Sequence, residues 1–242
     1  MYTFNVKYLG EDIVLSWNNV EEFKKFARVQ LGRYYFPPEM SDDEFFQAFR
    51  QRILLNWRRI SFNIDLQNIH RVVDVGSGIA VMDLMISQFN KNTEFYLVEK
   101  SEFGAKPSGQ YFEEDHPGYH SWRVVEDCIS TTGLDRNRFT FLSPSDSWPG
   151  DVDLLLSTYS WCWHYPKDKY WQRAKDSLKV GGKLALDILF RPDRNIVNEI
   201  SDEFDSEPVI IPVRIPNSPF KEQFTLASDG SCGGFYIWTR NK

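Results

Sequence analysis

Two stretches of the sequence carry residues whose types and spacing could do chemistry. In the first, Arg71-Val72-Val73-Asp74-Val75 runs into Gly76-Ser77-Gly78. Glycines in such a turn let backbone N–H groups approach an anionic or polar ligand, because no side chain stands in the way. Glu99 closes the run Glu94-Phe95-Tyr96-Leu97-Val98. An acid at that place can accept hydrogen bonds from the two hydroxyls of a ribose. The second stretch is Ser157-Thr158-Tyr159-Ser160-Trp161-Cys162-Trp163-His164-Tyr165-Pro166. Its aromatic rings suit a small molecule held against flat faces. The imidazole of His164 titrates near neutrality and can take a proton from a hydroxyl. The alternative for His164 is a structural histidine held by Tyr165-Pro166 and a backbone carbonyl. His116 and His120 are second candidates for the same proton.

These residues need a scaffold, and the pattern supplies one. Val72, Val73 and Val75 read as a short buried strand, and Ala80 to Ile86 as the helix after the glycine turn. Leu154-Leu155-Leu156 suits a strand buried on both faces. Further strands are predicted at Arg138–Leu142, Lys183–Ile188, Val209–Val213 and Gly234–Thr239. Helices are predicted from Ser121 to Gly133, from Tyr170 to Leu178 with Gly181-Gly182 as its stop, and ending near Asp205. Such alternation of strands and helices predicts an α/β sheet. Upstream, Thr3–Tyr8 and Asp12–Ser16 flank a turn-like Leu9-Gly10-Glu11 and read as a hairpin. A helix from Asn19 to Tyr35 is stopped by Pro37-Pro38. Ser41-Asp42-Asp43-Glu44 has the form of a capping box for a helix running to about Ile60. Lys100 to His120, rich in Gly, Pro and aromatics, reads as a long irregular loop, a lid or wall of the site.

The residues Val73-Asp74-Val75-Gly76-Ser77-Gly78 with Glu99 resemble the class I S-adenosylmethionine-dependent methyltransferases, over roughly Ile69 to Leu189. The resemblance implies a doubly wound, seven-stranded Rossmann-like sheet whose last strand inserts antiparallel, with S-adenosylmethionine as cofactor. It implies cofactor contacts at Asp74, Gly76, Ser77, Gly78, Glu99, Lys100, Ser145, Asp146 and Ser157. Asp146 could accept from the adenine amino group or serve only as a turn residue. The family's third glycine is replaced by Ala80, which is small enough to keep helix–strand packing. The stretch Leu156 to Pro166, preceded by Tyr111-Phe112 to Gly118-Tyr119-His120-Ser121, is similar to sugar O-methyltransferases. That likeness implies a hydroxyl acceptor on a small, sugar-like molecule. For such an acceptor His164 is the first candidate for the catalytic base, and Tyr111, Tyr159, Trp161, Trp163 and Tyr165 are the candidate substrate contacts. The chain lacks the Asn-Pro-Pro-Tyr and Asp-Pro-Pro-Tyr patterns of base-directed amino methyltransferases. It also lacks the Pro-Cys pair of cytosine C5 enzymes, so Cys162 is a poor nucleophile.

Composition narrows the field. The formal net charge is −6, which disfavours a nucleic-acid surface. The basic cluster Arg50, Arg52, Arg58 and Arg59 reads as a solvated helix face. Cys128, Cys162 and Cys232 have neither disulfide nor zinc spacing. Asp146, Asp151 and Asp153 are close in sequence, but Asp153 begins a strand at the wrong end of the sheet, so no metal is expected. No apolar run reaches membrane-spanning length and no signal peptide is visible, so a soluble, cytoplasmic protein is expected, free of nucleic acid and membrane. The domains are read as 1–65, an N-terminal hairpin and helical cap, and 66–242, the cofactor-binding domain. The cap is expected either at the mouth of the site or as a stabilising or homodimer-forming addition. The acceptor pocket is expected between Tyr159–Tyr165, the Lys100–His120 loop and the N-terminal helices. Rival readings are N-methylation of a protein or other target, an inactive cofactor-binding scaffold and, weakest, an NAD-dependent enzyme.

Overall fold

The computed structural model describes residues 1–30, 40–99, 122–162, 165–189, 195–213 and 233–242. Strands β1 (Tyr2–Tyr8) and β2 (Glu11–Trp17) pair antiparallel as the predicted hairpin. Leu9 (φ 49°) and Gly10 (φ 88°) are both left-handed, the two-residue turn whose twist matches that of the strands. Helix α1 (Val20–Gln30) and helix α2 (Asp42–Ser61) follow. The capping box forms as its spacing predicts: Ser41 Oγ accepts from Glu44 N, and Glu44 Oε2 accepts from Ser41 N at 2.9 Å. The proposed Pro37-Pro38 stop lies outside the described residues.

Next come β3 (Arg71–Val75), α3 (Val81–Phe89), β4 (Glu94–Val98), α4 (Trp122–Thr132), β5 (Phe139–Leu142) and β6 (Val152–Ser157). The rest of the described chain is α5 (Trp171–Ser177), β7 (Leu178–Leu189), α6 (Ile196–Phe204), β8 (Val209–Val213) and β9 (Gly233–Thr239). Seven strands form one sheet in the order β5-β4-β3-β6-β7-β9-β8. β3 is parallel to β6, β6 to β7, and β4 to β5. β9 inserts antiparallel between β7 and β8. The expected Rossmann-like sheet with an antiparallel last strand is therefore present, and β8, with Pro212, takes the edge that a missing N–H tolerates. Among the described residues no helix is long and apolar enough to cross a membrane.

One element differs from the sequence reading. Gly181-Gly182 does not stop the helix, which ends at Ser177; both glycines lie inside β7. Leu178 pairs with Val152 and Lys183 with Leu154, so the residues between them swell out of the ladder. Gly181 is left-handed (φ 81°), and a Cβ on Gly182 would come within 2.9 Å of the Lys179 and Val152 carbonyl oxygens. The pair is needed by the bulge.

The chain packs as two compact units, Met1–Ile69 with Ser77–Asp146, and His70–Gly76 with Ser147–Lys242. In the first, aromatic rings build the core of the N-terminal addition. Tyr2 stacks on Phe46 (4.1 Å), Trp17 stacks on Phe23 (4.4 Å), and Phe49 meets Phe23 edge-on (5.1 Å). The hairpin is fastened along α3 and α4. Val14 N donates to Gln88 Oε1 (3.4 Å), Asn19 N to Asp127 Oδ2 (2.9 Å), and Asn18 Nδ2 to Thr131 Oγ1 (2.9 Å). Tyr8 packs its edge on Phe89. These anchors sit on the later turns of both helices, whereas the glycine turn precedes the first turn of α3. Among the described residues, the addition is fastened to the flank of α3 and α4. Arg138 closes the same region, donating to Thr93 O, Ser87 O and Asn90 O.

In the second unit, Leu154, Leu155, Leu156, Leu184 and Leu186 are fully buried, as the apolar runs predict. Trp171 stacks on Phe204 and donates its indole N–H to Glu203. Asp153, the second residue of β6, accepts from His70 N (2.9 Å) and Arg71 N (2.8 Å) and pairs with Lys179. Burial alone would raise its pKa, but the Lys179 ammonium and the two backbone donors hold the carboxyl below its ordinary value.

Candidate functional site

The second unit brings two turns together at the carboxyl ends of β3 and β6. Ser157, the last residue of β6, is fully buried; its hydroxyl donates to Val75 O (2.6 Å) and accepts from Trp161 N (2.9 Å). One side chain thus ties the end of β3 to the turn after β6. That turn is bent hard. Tyr159 (φ 56°) and Cys162 (φ 62°) are both left-handed without being glycine, and Cys162 N donates to Tyr165 O (3.0 Å). Non-glycine residues in this region store strain that concentrates at functional sites. Gly76, also left-handed (φ 75°), lies directly under Ser160, whose side chain occupies the space a Cβ on Gly76 would need.

The first unit carries the rest of the glycine turn. Gly78 (φ 64°) donates its N–H to Glu99 Oε2 at 3.3 Å. Glu99 is itself held by Glu99 N to Leu142 O (3.0 Å), which extends the β4–β5 ladder. Ser77 is only 4% exposed, and its hydroxyl has no hydrogen-bond partner among the described residues. A buried hydroxyl left this way costs about 1–3 kcal/mol, so it marks a place suited to a polar ligand. Ala80 is left-handed too (φ 51°) and buried, at the N-cap of α3. Ala80 thus stands at a position whose backbone favours glycine. After β5, Ser143 N donates to Asp146 Oδ2 (2.7 Å) and Asp146 N to Ser143 O (3.1 Å). Ser145 Oγ bonds Ser143 Oγ (2.7 Å). Asp146 and Ser145 therefore sit in a self-closed, exposed turn.

The other predicted positions divide clearly. Asp74 is 3% exposed, near the end of β3. Tyr159 and Tyr165 are half-buried in the turn after β6, and Lys169 lies over one face of the Tyr165 ring at 4.1 Å. Trp161, expected as an acceptor wall, is fully buried. It donates its indole N–H to Lys167 O (2.9 Å) and meets Tyr170 edge-on. With no exposed ring surface it packs the turn from below. Ser157, expected at the cofactor, spends its hydroxyl on Val75 and Trp161. Lys100, Tyr111, His116, His120, Trp163 and His164 lie outside the described residues. Sequence reasoning passed over Ser160. Its only signal was a small residue among aromatics in a turn expected to neighbour the glycines.

No protein-family profile and no curated protein matches the sequence. Solved structures do match. One structure of the StiE O-MT covers 86% of this chain and 80% of its own, with TM-score 0.53 and 16% identity. A second StiE O-MT structure covers 88% and 82%, with TM-score 0.52 and 18% identity. A chain from the complex of the Haloferax volcanii Trm112 methyltransferase activator with a methyltransferase covers 81% and 93%, with TM-score 0.50 and 12% identity. At such identities the likeness is one of architecture, a Rossmann-like fold shared with these solved methyltransferases.

Proposed function

We propose that the protein transfers the methyl group of S-adenosylmethionine to a hydroxyl of a small, sugar-like acceptor. The observation that carries this reading is the turn between β3 and α3. Gly76 and Gly78 are left-handed, Gly78 N is joined to the Glu99 carboxylate, and the buried Ser77 hydroxyl has no protein partner among the described residues. These features fit a polar ligand with ribose hydroxyls. Asp74, Gly76, Ser77, Gly78 and Glu99 would hold the cofactor, with Ser145 and Asp146 toward its base. Lys100 is assigned by sequence alone.

Bound cofactor supplies an electrophilic sulfonium methyl, so this chain's residues have only to bind, align and deprotonate the acceptor. His164, assigned by sequence alone, takes the hydroxyl proton. Tyr159 and Tyr165, with Trp163 and Tyr111 assigned by sequence alone, would bind the sugar. Trp161 and Ser157 act indirectly, by fixing the turn. Lys169 already covers one face of Tyr165.

Calorimetric titration with S-adenosylhomocysteine tests the cofactor. Saturable heat is expected, and Glu99→Ala should weaken affinity by about tenfold or more, equivalent to about 1.4 kcal/mol. Binding of NADH with no heat from S-adenosylhomocysteine would overturn the reading. Radiolabelled methyl transfer to a panel of sugars and sugar alcohols then tests the acceptor. His164→Ala should slow transfer severely while leaving S-adenosylhomocysteine affinity unchanged.

A further inference from the structure

Most described glycines with room around them need glycine only for their backbone angle: a Cβ on Gly10, Gly133 or Gly181 would meet nothing within 4 Å. Gly76 is different. A Cβ there would overlap both Oγ and Cβ of Ser160, and lies 3.8 Å from the Ser160 Cα. The hydroxyl could swing away; the Cβ cannot, because it is fixed to the backbone of the turn. That backbone is itself pinned. Ser157 Oγ holds Trp161 N on one side, and Tyr165 N donates to Ser160 O (3.5 Å) on the other. The flanking Tyr159 and Cys162 are left-handed, a conformation that costs about 1–2 kcal/mol in a non-glycine residue. The chain accepts strain on both sides of Ser160, and Ser160 is what reaches Gly76.

From this geometry we infer that Ser160 is a positioning residue: its CH₂OH group seats the turn after β6 on the end of β3, and glycine is required at 76 to receive it. The inference rests on the proposed function in one respect, that the turn after β6 carries the acceptor-facing rings. It alters the meaning of the glycine. A bare Gly76 is ordinarily explained by ligand approach; here a side chain of the protein fills the bared space. The placement of Tyr159 and Tyr165 is then referenced to β3 through one van der Waals contact, and any residue larger than glycine at 76 would shift the acceptor turn.

A double-mutant cycle tests this. Gly76→Ala should lower the melting temperature by about 5 °C or more and Ser160→Gly by about 2 °C, while Gly76→Ala/Ser160→Gly recovers much of the first loss, since only the left-handed backbone strain persists. S-adenosylhomocysteine affinity, read by calorimetry, should fall about thirtyfold in Gly76→Ala and return to within about fivefold of the parent in the double variant. Ser160→Ala, which keeps the Cβ, should stay within about threefold of the parent. If Gly76→Ala does not fold, Ser160→Val presses the same contact from the other side and should lower the melting temperature by about 3 °C or more. Additive melting losses would overturn the inference. So would a double variant whose melting temperature recovers while its affinity does not, because the ligand itself would then need the space. A parent protein that binds no S-adenosylhomocysteine would refute the cofactor reading, and the melting cycle would still decide the contact.

Discussion

In the N-terminal addition, Tyr2, Phe4, Trp17, Phe23, Phe45, Phe46 and Phe49 lie ring against ring, and most of them are fully buried. After β6 the rings are arranged otherwise. Trp161 goes down into the core, while Tyr159 and Tyr165 stay half-buried on a turn with two left-handed non-glycine residues. The first region has ordinary backbone around its rings and is organised for stability. The second accepts backbone strain to hold its rings at the surface. Aromatic density in a sequence therefore does not mark a binding wall. The two regions differ in where the backbone is forced and in which rings are left half-buried.

The sharpest test of that contrast is Phe49→Ala. Emptying the middle of the N-terminal cluster should cost about 3–5 kcal/mol, read as a fall in the denaturation midpoint. A loss below about 1 kcal/mol would show the cluster to be loosely packed and the contrast false. Asp153→Asn should have the next largest effect, about 2 kcal/mol at neutral pH, because three donors lose a charged acceptor. The sign with pH follows from the lowered pKa of Asp153 in the folded protein. Its stabilisation is present at neutral pH, above the unfolded value of about 3.9, and is lost as pH falls through the folded value. The variant should accordingly show a flatter decline in acid than the parent; parallel curves would remove Asp153 from the acid response. Ser157→Ala should cost about 1–2 kcal/mol by leaving Val75 O and Trp161 N without the bridging hydroxyl. It should also loosen the turn, so a protease map that shows no new cleavage between 158 and 162 would count against the clasp. Tyr159→Gly should have the smallest effect and the opposite sign, a gain of up to about 1 kcal/mol as the left-handed strain is relieved. If Tyr159 serves the acceptor, the same variant transfers methyl groups more slowly. A loss of stability would place Tyr159 with the packing rings.

The strands and helices around the glycine turn were legible because their signals are local. Val72-Val73 and Leu154-Leu155-Leu156 are buried runs, and Ser41 and Glu44 cap α2 by their own spacing. What escaped the sequence depends on partners far along the chain. Gly181-Gly182 looked like a helix stop, since a glycine pair ends a helix and opens a bulge equally well; only the pairing of Leu178 with Val152 and Lys183 with Leu154 distinguishes them. Trp161 and Tyr159 looked alike until left-handed residues broke the alternation between them. The hairpin's amphipathic strands announce a buried face and do not say which helices cover it. Ser160 was invisible because Gly76, the residue it touches, lies far back along the chain in the turn after β3.

The insertion of β9 between β7 and β8 has a consequence for the order of assembly. β8 is synthesised first, yet it reaches the sheet only through β9. Until β9 is in place, Val209-Ile210-Ile211 has no neighbour among these strands, and in the finished sheet Val209 and Ile210 are still about half exposed. Such a non-local closure is slow to form, and the waiting segment is a ready template for pairing with another chain. Pro212, which removes one ladder donor, guards that strand during the wait. The yield of refolded protein should therefore depend more steeply on protein concentration in a Pro212→Val variant than in the parent.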